Sequence, residues 1–298
     1  MEVASRRDAE TRQLIVGLEN VLDAFRQYSG RNPWCPTQGS PLRARQAELA
    51  RESGPSGQWE CTPATIAGDS AQALLIASCE YLRGASALLN ANCETFALAP
   101  VIRAAVEALG RVGWILDPTT LSAREFAARV KLLWLDDFRQ VRTSMTSNAD
   151  AKTARTSQQD AEESIHTGFF PAEIVQPEAN SDGFIPMPTV SGQTVPGLRA
   201  TVRYLEDPSG GSPNYGKLYD VLSTLSHPTL TPILQVLRAS PGEAIETPIA
   251  FTRLLVGGAT IGLINMWMLT AGFFGMPLIN AASLSHPFGD PQTDSRPQ

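Results

Sequence analysis

Residues 96–118 read FALAPVIRAAVEALGRVGWILDP, and this stretch decides the fold class. It reads as one helix from about Phe96 to Leu116. The helix stops there because Asp117 precedes Pro118, and a residue before proline is pushed out of the α region. Arg103, Glu107 and Arg111 are each four apart, and Trp114 falls at nearly the same angle, so the four share one helical face beside apolar neighbours.

Working outward, Leu74, Leu75, Cys79, Leu82, Leu88 and Leu89 carry a preceding helix over about 70–90, with Asp69 as its candidate N-cap. The two helices predict an antiparallel hairpin. On the other side, Ser122 and Glu125 form a capping box, with Leu121 and Phe126 placed to staple across it, and open a helix to about Met145. Leu14, Leu18, Val21, Phe25 and Tyr28 alternate spacings of four and three, the stripe of an amphipathic helix over about 8–28. Residues 29–65, around Trp34 and Trp59, read as a long loop with a short helix over 42–51.

Beyond 147 the pattern changes. Residues 147–165 are polar, and 167–200 mix proline with Gly, Ser and Thr, the composition of a flexible excursion. Ser212-Pro213, Thr231-Pro232 and Thr247-Pro248 then mark three helix starts, over about 213–226, 232–239 and 248–276. No strand alternation or internal repeat stands out. The expected fold is therefore all-α: an N-terminal helix and loop over 1–65, then a helical bundle over 66–280 interrupted by a Pro/Gly-rich excursion at 147–212. A disordered tail over 281–298 is expected to follow.

The chain has 298 residues, 43% hydrophobic and 18% charged, enough to bury a core without metals or disulfides. A net charge of −6 gives no attraction for phosphate backbones, and no Lys/Arg run overrides it, so no DNA partner is expected. Cys35, Cys61, Cys79 and Cys93 match no zinc or redox spacing and read as buried free thiols in a reducing compartment. The first residues lack an export signal, so a cytoplasmic location is expected. From Leu254 to Leu278 run 25 uncharged residues, long enough to cross a bilayer. This run contains five glycines, Thr260, Asn265 and Thr270 and has no flanking Lys/Arg cluster, so it reads as a buried core helix, with a membrane anchor as the alternative.

Candidate chemistry is sparse. The ladder Arg103, Glu107, Arg111 is either a solvated charged face or one wall of a site. His227 ends the helix that carries Tyr219, Ser223 and Ser226 at spacings of four and three. It is either an imidazole capping free carbonyls or a site residue. Asp136-Asp137 reads as surface charge, because adjacent helical residues diverge by about 100°. His166 and His286 have weaker surroundings. No metal set, cofactor motif or nucleophile motif is present, so no cofactor is expected.

The helix Val101-Ile102-Arg103-Ala104-Ala105-Val106-Glu107, ending in Trp114-Ile115-Leu116-Asp117-Pro118, and the later Tyr219-x-x-Leu222-Ser223-x-x-Ser226-His227 resemble bacterial helical proteins related to the HEPN superfamily. That resemblance implies a bundle in which the Arg/Glu helix faces the Ser-His helix, with Arg103, Glu107, Tyr219, Ser223 and His227 lining one pocket. It also implies a homodimer, an RNA or protein partner and a stress or defence context. Active RNases of the superfamily place an Arg five to seven positions before the His, where this chain has Asp220, Val221 and Leu222. The expectation is a binding or regulatory module. The alternative is a metal-independent RNase or other hydrolase, with His227 as general acid or base beside Arg103 and Glu107.

Overall fold

A computed structural model describes residues 2–58, 62–91, 94–117, 122–144, 148–179, 181, 185–206, 214–226, 249–280 and 284. It is a helical bundle. Its helices are α1 (Glu2–Arg31), α2 (Pro41–Leu49), α3 (Thr62–Asn90), α4 (Glu94–Leu116), α5 (Ala123–Ser144), α6 (Asn148–Gly168), the short α7 (Leu198–Thr201), α8 (Tyr215–Ser226) and α9 (Ile249–Phe274). Two small antiparallel ladders lie between helices: β1 (Ser53–Gly54) with β2 (Gly57–Gln58), and β3 (Ile174–Val175) with β4 (Thr189–Val190).

α4 is the hub. It packs most extensively on α3, forming the expected hairpin, and also meets α8 and α9. Ile102, Ala105, Val106, Leu109 and Val112 of α4 are fully buried. α1 is part of the same core, with Leu18 and Val21 fully buried against α3 and α9. The capping box at α5 forms as expected: Ser122 N donates to Glu125 Oε2 at 2.8 Å, and Glu125 N donates to Ser122 Oγ at 3.2 Å.

Several expectations need correction. α3 begins at Thr62, so Asp69 lies inside the helix on its exposed side and caps nothing. α8 begins at Tyr215, and Asn214 caps it by accepting from Lys217 N at 2.9 Å. Cys79 is buried, and desolvation pushes its thiol up to about 12, but Cys35 is exposed in the loop after α1. The polar stretch expected to be flexible is the helix α6. Its Ala154, Gln158, Ala161 and Ile165 recur at spacings of four and three and are buried, while Lys131 Nζ of α5 donates to Ser164 O at 2.7 Å. The helix over 232–239, the three Pro-marked starts, Leu121, His227, His286 and most of the tail lie outside the described residues.

α9 passes the length and hydropathy test for a membrane span, yet 72% of its most apolar window is buried in the bundle. Its buried hydroxyls find partners within the protein, while the Trp267 Nε1 is buried with no acceptor among the described residues. Thr260 and Thr270 each donate to the carbonyl four residues back at 2.7 Å, and Tyr215 OH donates to Gly258 O at 2.8 Å. Gly275, at φ +69°, ends the helix in the left-handed conformation that glycine adopts without strain.

The described residues of the excursion pack against α4 and α5. Three α5 arginines hold it: Arg124 pairs with Glu173, Arg129 Nε donates to Gln193 Oε1 at 2.8 Å, and Arg139 donates to Pro186 O at 3.1 Å. Close approach to α4 needs glycine. A Cβ on Gly110 would sit 3.0 Å from the Thr201 carbonyl carbon, and one on Gly113 would sit 2.8 Å from Tyr204 Cβ.

Candidate functional site

The charged ladder of α4 lies where α5, α8 and the excursion converge. Arg103 Nε donates to Glu107 Oε1 at 2.7 Å, one turn along the same helix. Tyr219 OH, from α8, donates to the same Oε1 at 3.1 Å and accepts from Arg103 Nη2 at 3.1 Å. The guanidinium also lies 5.4 Å from the Tyr219 ring centroid. These three groups close a hydrogen-bonded triangle. The Arg103 and Glu107 side chains are only 19% and 23% exposed, so their attraction is screened less than at an open surface.

One turn further along, Arg111 forks onto α5, with Nη1 on Asp137 and Nη2 on Asp136 at 3.5 Å. The acidic pair is therefore not simple surface charge. Its two carboxyls diverge, and the guanidinium spans both with its two arms. Asp136 is 19% exposed, and burial raises its pKa, with Arg111 opposing and Asp137 reinforcing the shift.

Between α4, α5 and the excursion lies a cavity of about 310 Å³. Glu107, Arg111, Asp136 and Gln140 supply polar walls, and Trp114 and Leu133 supply apolar ones. Met187 and residues 195–198 and 201 cover it from the excursion side. A second, more open hollow of about 570 Å³ lies between residues 197–200, Arg203 and Tyr219, and Gly197 and Leu198 line both.

No protein-family model, curated protein or solved structure matches the chain.

Of the residues expected in the site, Arg103, Glu107, Arg111 and Tyr219 come together. Trp114 lines the cavity but is 2% exposed and lies beneath Arg129, whose guanidinium is 5.8 Å from its ring. Ser226 donates to Leu222 O of its own helix at 2.6 Å, so that hydroxyl does not join the triangle. Ser223 is half-buried and makes no hydrogen bond among the described residues. His227 follows the last described residue of α8, and His166 is exposed at the end of α6.

Sequence reasoning set Asp136 aside and missed Gln140 and the excursion residues 187–201. Their part in the cavity depends on contacts across the bundle and leaves no local periodic signal. Among the described residues, no group of three or more His, Cys, Asp or Glu is placed to hold a metal ion.

Burial raises the Tyr219 pKa, reinforced by the Glu107 carboxylate, so the phenol stays neutral and donates. The hydrogen bond that Arg103 donates to Glu107 holds the Arg103 pKa up, so the guanidinium stays charged. The arrangement can hold a polar group in a fixed orientation against an apolar wall.

Proposed function

We propose that the chain is a cytoplasmic helical binding module of HEPN-like type, regulatory in role, whose ligand site is the cleft between α4, α5 and residues 187–201. The observation that carries this reading is the Arg103–Glu107–Tyr219 triangle beside a half-open cavity of about 310 Å³. Pockets of this size, with mostly preformed walls and a few convergent polar groups, are the usual form of a small-molecule site. The facing of the Arg/Glu helix and the Tyr219 helix supports the HEPN-like reading. The triangle favours binding over catalysis, because a charge-paired Arg and a neutral buried phenol fix a ligand but do not exchange protons near neutral pH.

Thermal unfolding with panels of small cationic, anionic and neutral compounds tests the site. At least one class is expected to raise the Tm of the wild type. Val195→Trp, which fills the cavity from the excursion side, is expected to remove the shift. A Tm that no class moves, or that moves equally in the variant, overturns the reading. The catalytic alternative is tested with total RNA in EDTA. Wild-type chain is expected to leave it intact, and cleavage lost in His227→Ala would put the RNase first.

A further inference from the structure

Resting on that reading of the cleft, we propose that its ligand is a small organic cation, an ammonium or guanidinium group carried on an apolar body.

The argument begins with acceptors. Both hydrogen bonds that Glu107 receives arrive at Oε1, from Arg103 and Tyr219. Both that Asp136 receives arrive at Oδ2, from Gln140 at 2.7 Å and Arg111 at 3.5 Å. Glu107 Oε2 and Asp136 Oδ1 therefore have no hydrogen-bond donor among the described residues, and both carboxylates line the same cavity. Neither oxygen is among the fully buried atoms that lack a partner, so each faces solvent in the cleft, and a charged donor is the strongest partner it can take in place of water.

The guanidinium groups beside the cavity are already engaged. Arg111 reaches both Asp136 and Asp137, and Arg103 reaches Glu107 and Tyr219. An anionic ligand would have to break one of these pairs, whereas a cation adds to them. The charged groups lining the cavity are two carboxylates and one guanidinium, so an added positive charge balances them. Burial that raises the Asp136 pKa is a cost of keeping its charge out of water, and a cation beside it offsets that cost.

The remaining walls select the rest of the molecule. Trp114, Leu133 and Leu198 provide apolar surface. At about 310 Å³, the cavity is at the small end of the range for ligand sites. A cation with an apolar body of roughly one ring uses both kinds of wall, and a bare metal ion or polyamine would leave the apolar wall unused.

The test uses three probes of nearly equal shape, benzylamine, benzyl alcohol and benzoate, at millimolar concentration. They are followed by Tm shift and titration calorimetry on the full chain at neutral pH. Benzylamine is expected to raise the Tm and the other two to leave it unchanged. Glu107→Gln, which keeps an acceptor for Arg103 and Tyr219, is expected to weaken benzylamine about ten-fold, the loss of one charge-assisted contact. Asp136→Asn provides a second variant if Glu107→Gln lowers the unliganded Tm sharply, with the same weakening expected. Binding of benzyl alcohol or benzoate instead, still lost in Val195→Trp, overturns the cation and keeps the cleft. Binding of no probe, or benzylamine binding that Val195→Trp leaves intact, overturns both.

Discussion

The Tyr219 hydroxyl donates to Glu107 Oε1 at 3.1 Å, joining residues 112 apart in the chain. This bond ties α8 to α4 at the mouth of the cleft, beside the buried packing of Leu218 and Leu222. Tyr219→Phe removes the hydroxyl and keeps the ring under Arg103. The expected loss is about 1 kcal/mol, read as a lower urea midpoint at unchanged slope. Combined with Glu107→Gln, it is expected to show a coupling of about 0.5 kcal/mol or more in a double-mutant cycle. Strictly additive effects would mean that the bond does not form in solution.

Arg129 is the most deeply buried charged residue among the described residues, at 7% exposed. It donates to Trp114 O at 2.8 Å and Gln193 Oε1 at 2.8 Å, pairs with Asp117 at 3.1 Å and lies over the Trp114 and Tyr204 rings. Arg129→Ala takes the cation from beside Asp117, which is only 12% exposed, and the donor from Trp114 O and Gln193 Oε1, and is expected to cost about 3–5 kcal/mol. Arg129→Lys is expected to recover little, since an ammonium cannot reproduce the planar fork. Denaturant melts of both variants measure the difference.

At Gly113 the excursion lies close against α4. Gly113→Ala places a Cβ 2.8 Å from Tyr204 Cβ, an atom held close to its backbone, so residues 201–204 must shift. The expected result is a destabilisation of about 1–3 kcal/mol, together with faster hydrogen exchange across 198–205. Unchanged exchange in that segment would argue against the contact.

Two carboxylates make the protein sensitive to acid. The Glu125 pKa is lowered by hydrogen bonds from the Ser122 backbone and hydroxyl, and the Glu173 pKa is lowered first by the Arg124 guanidinium. Their folded values lie below the ordinary value near 4.5, so the stability they add is present above that pH and is lost as pH falls through the folded values. Asp136, whose pKa is raised, has the opposite sign and favours the folded state below its unfolded pKa. Urea midpoints are expected to hold from pH 7 to 5 and then fall. Glu173→Gln is expected to flatten that fall.

The burial of α9 predicts that the purified chain remains in the supernatant after high-speed centrifugation without detergent. Pelleting that detergent reverses would instead favour the membrane anchor.

Local signals made much of this molecule legible in its sequence. The i,i+4 stripes of α1 and α3, the Ser122–Glu125 capping box and the Asp117-Pro118 stop act within a turn or two of helix, so the chain declares them without its partners. The same locality placed Arg103, Glu107 and Arg111 on one face. It failed at α6, whose buried stripe includes two alanines and a glutamine. That stripe has too little apolar character to be seen until α5 lies against it. It failed again at the excursion, where composition reads as flexible and the ordering contacts come from Arg124, Arg129 and Arg139 on another helix. Sequence alone determined most of the helical segments, α6 and α7 excepted, and which charges share a face. Tertiary structure decided which carboxylate each arginine meets and what covers the cleft, because those pairings join residues distant in the chain and exist only once the core has packed.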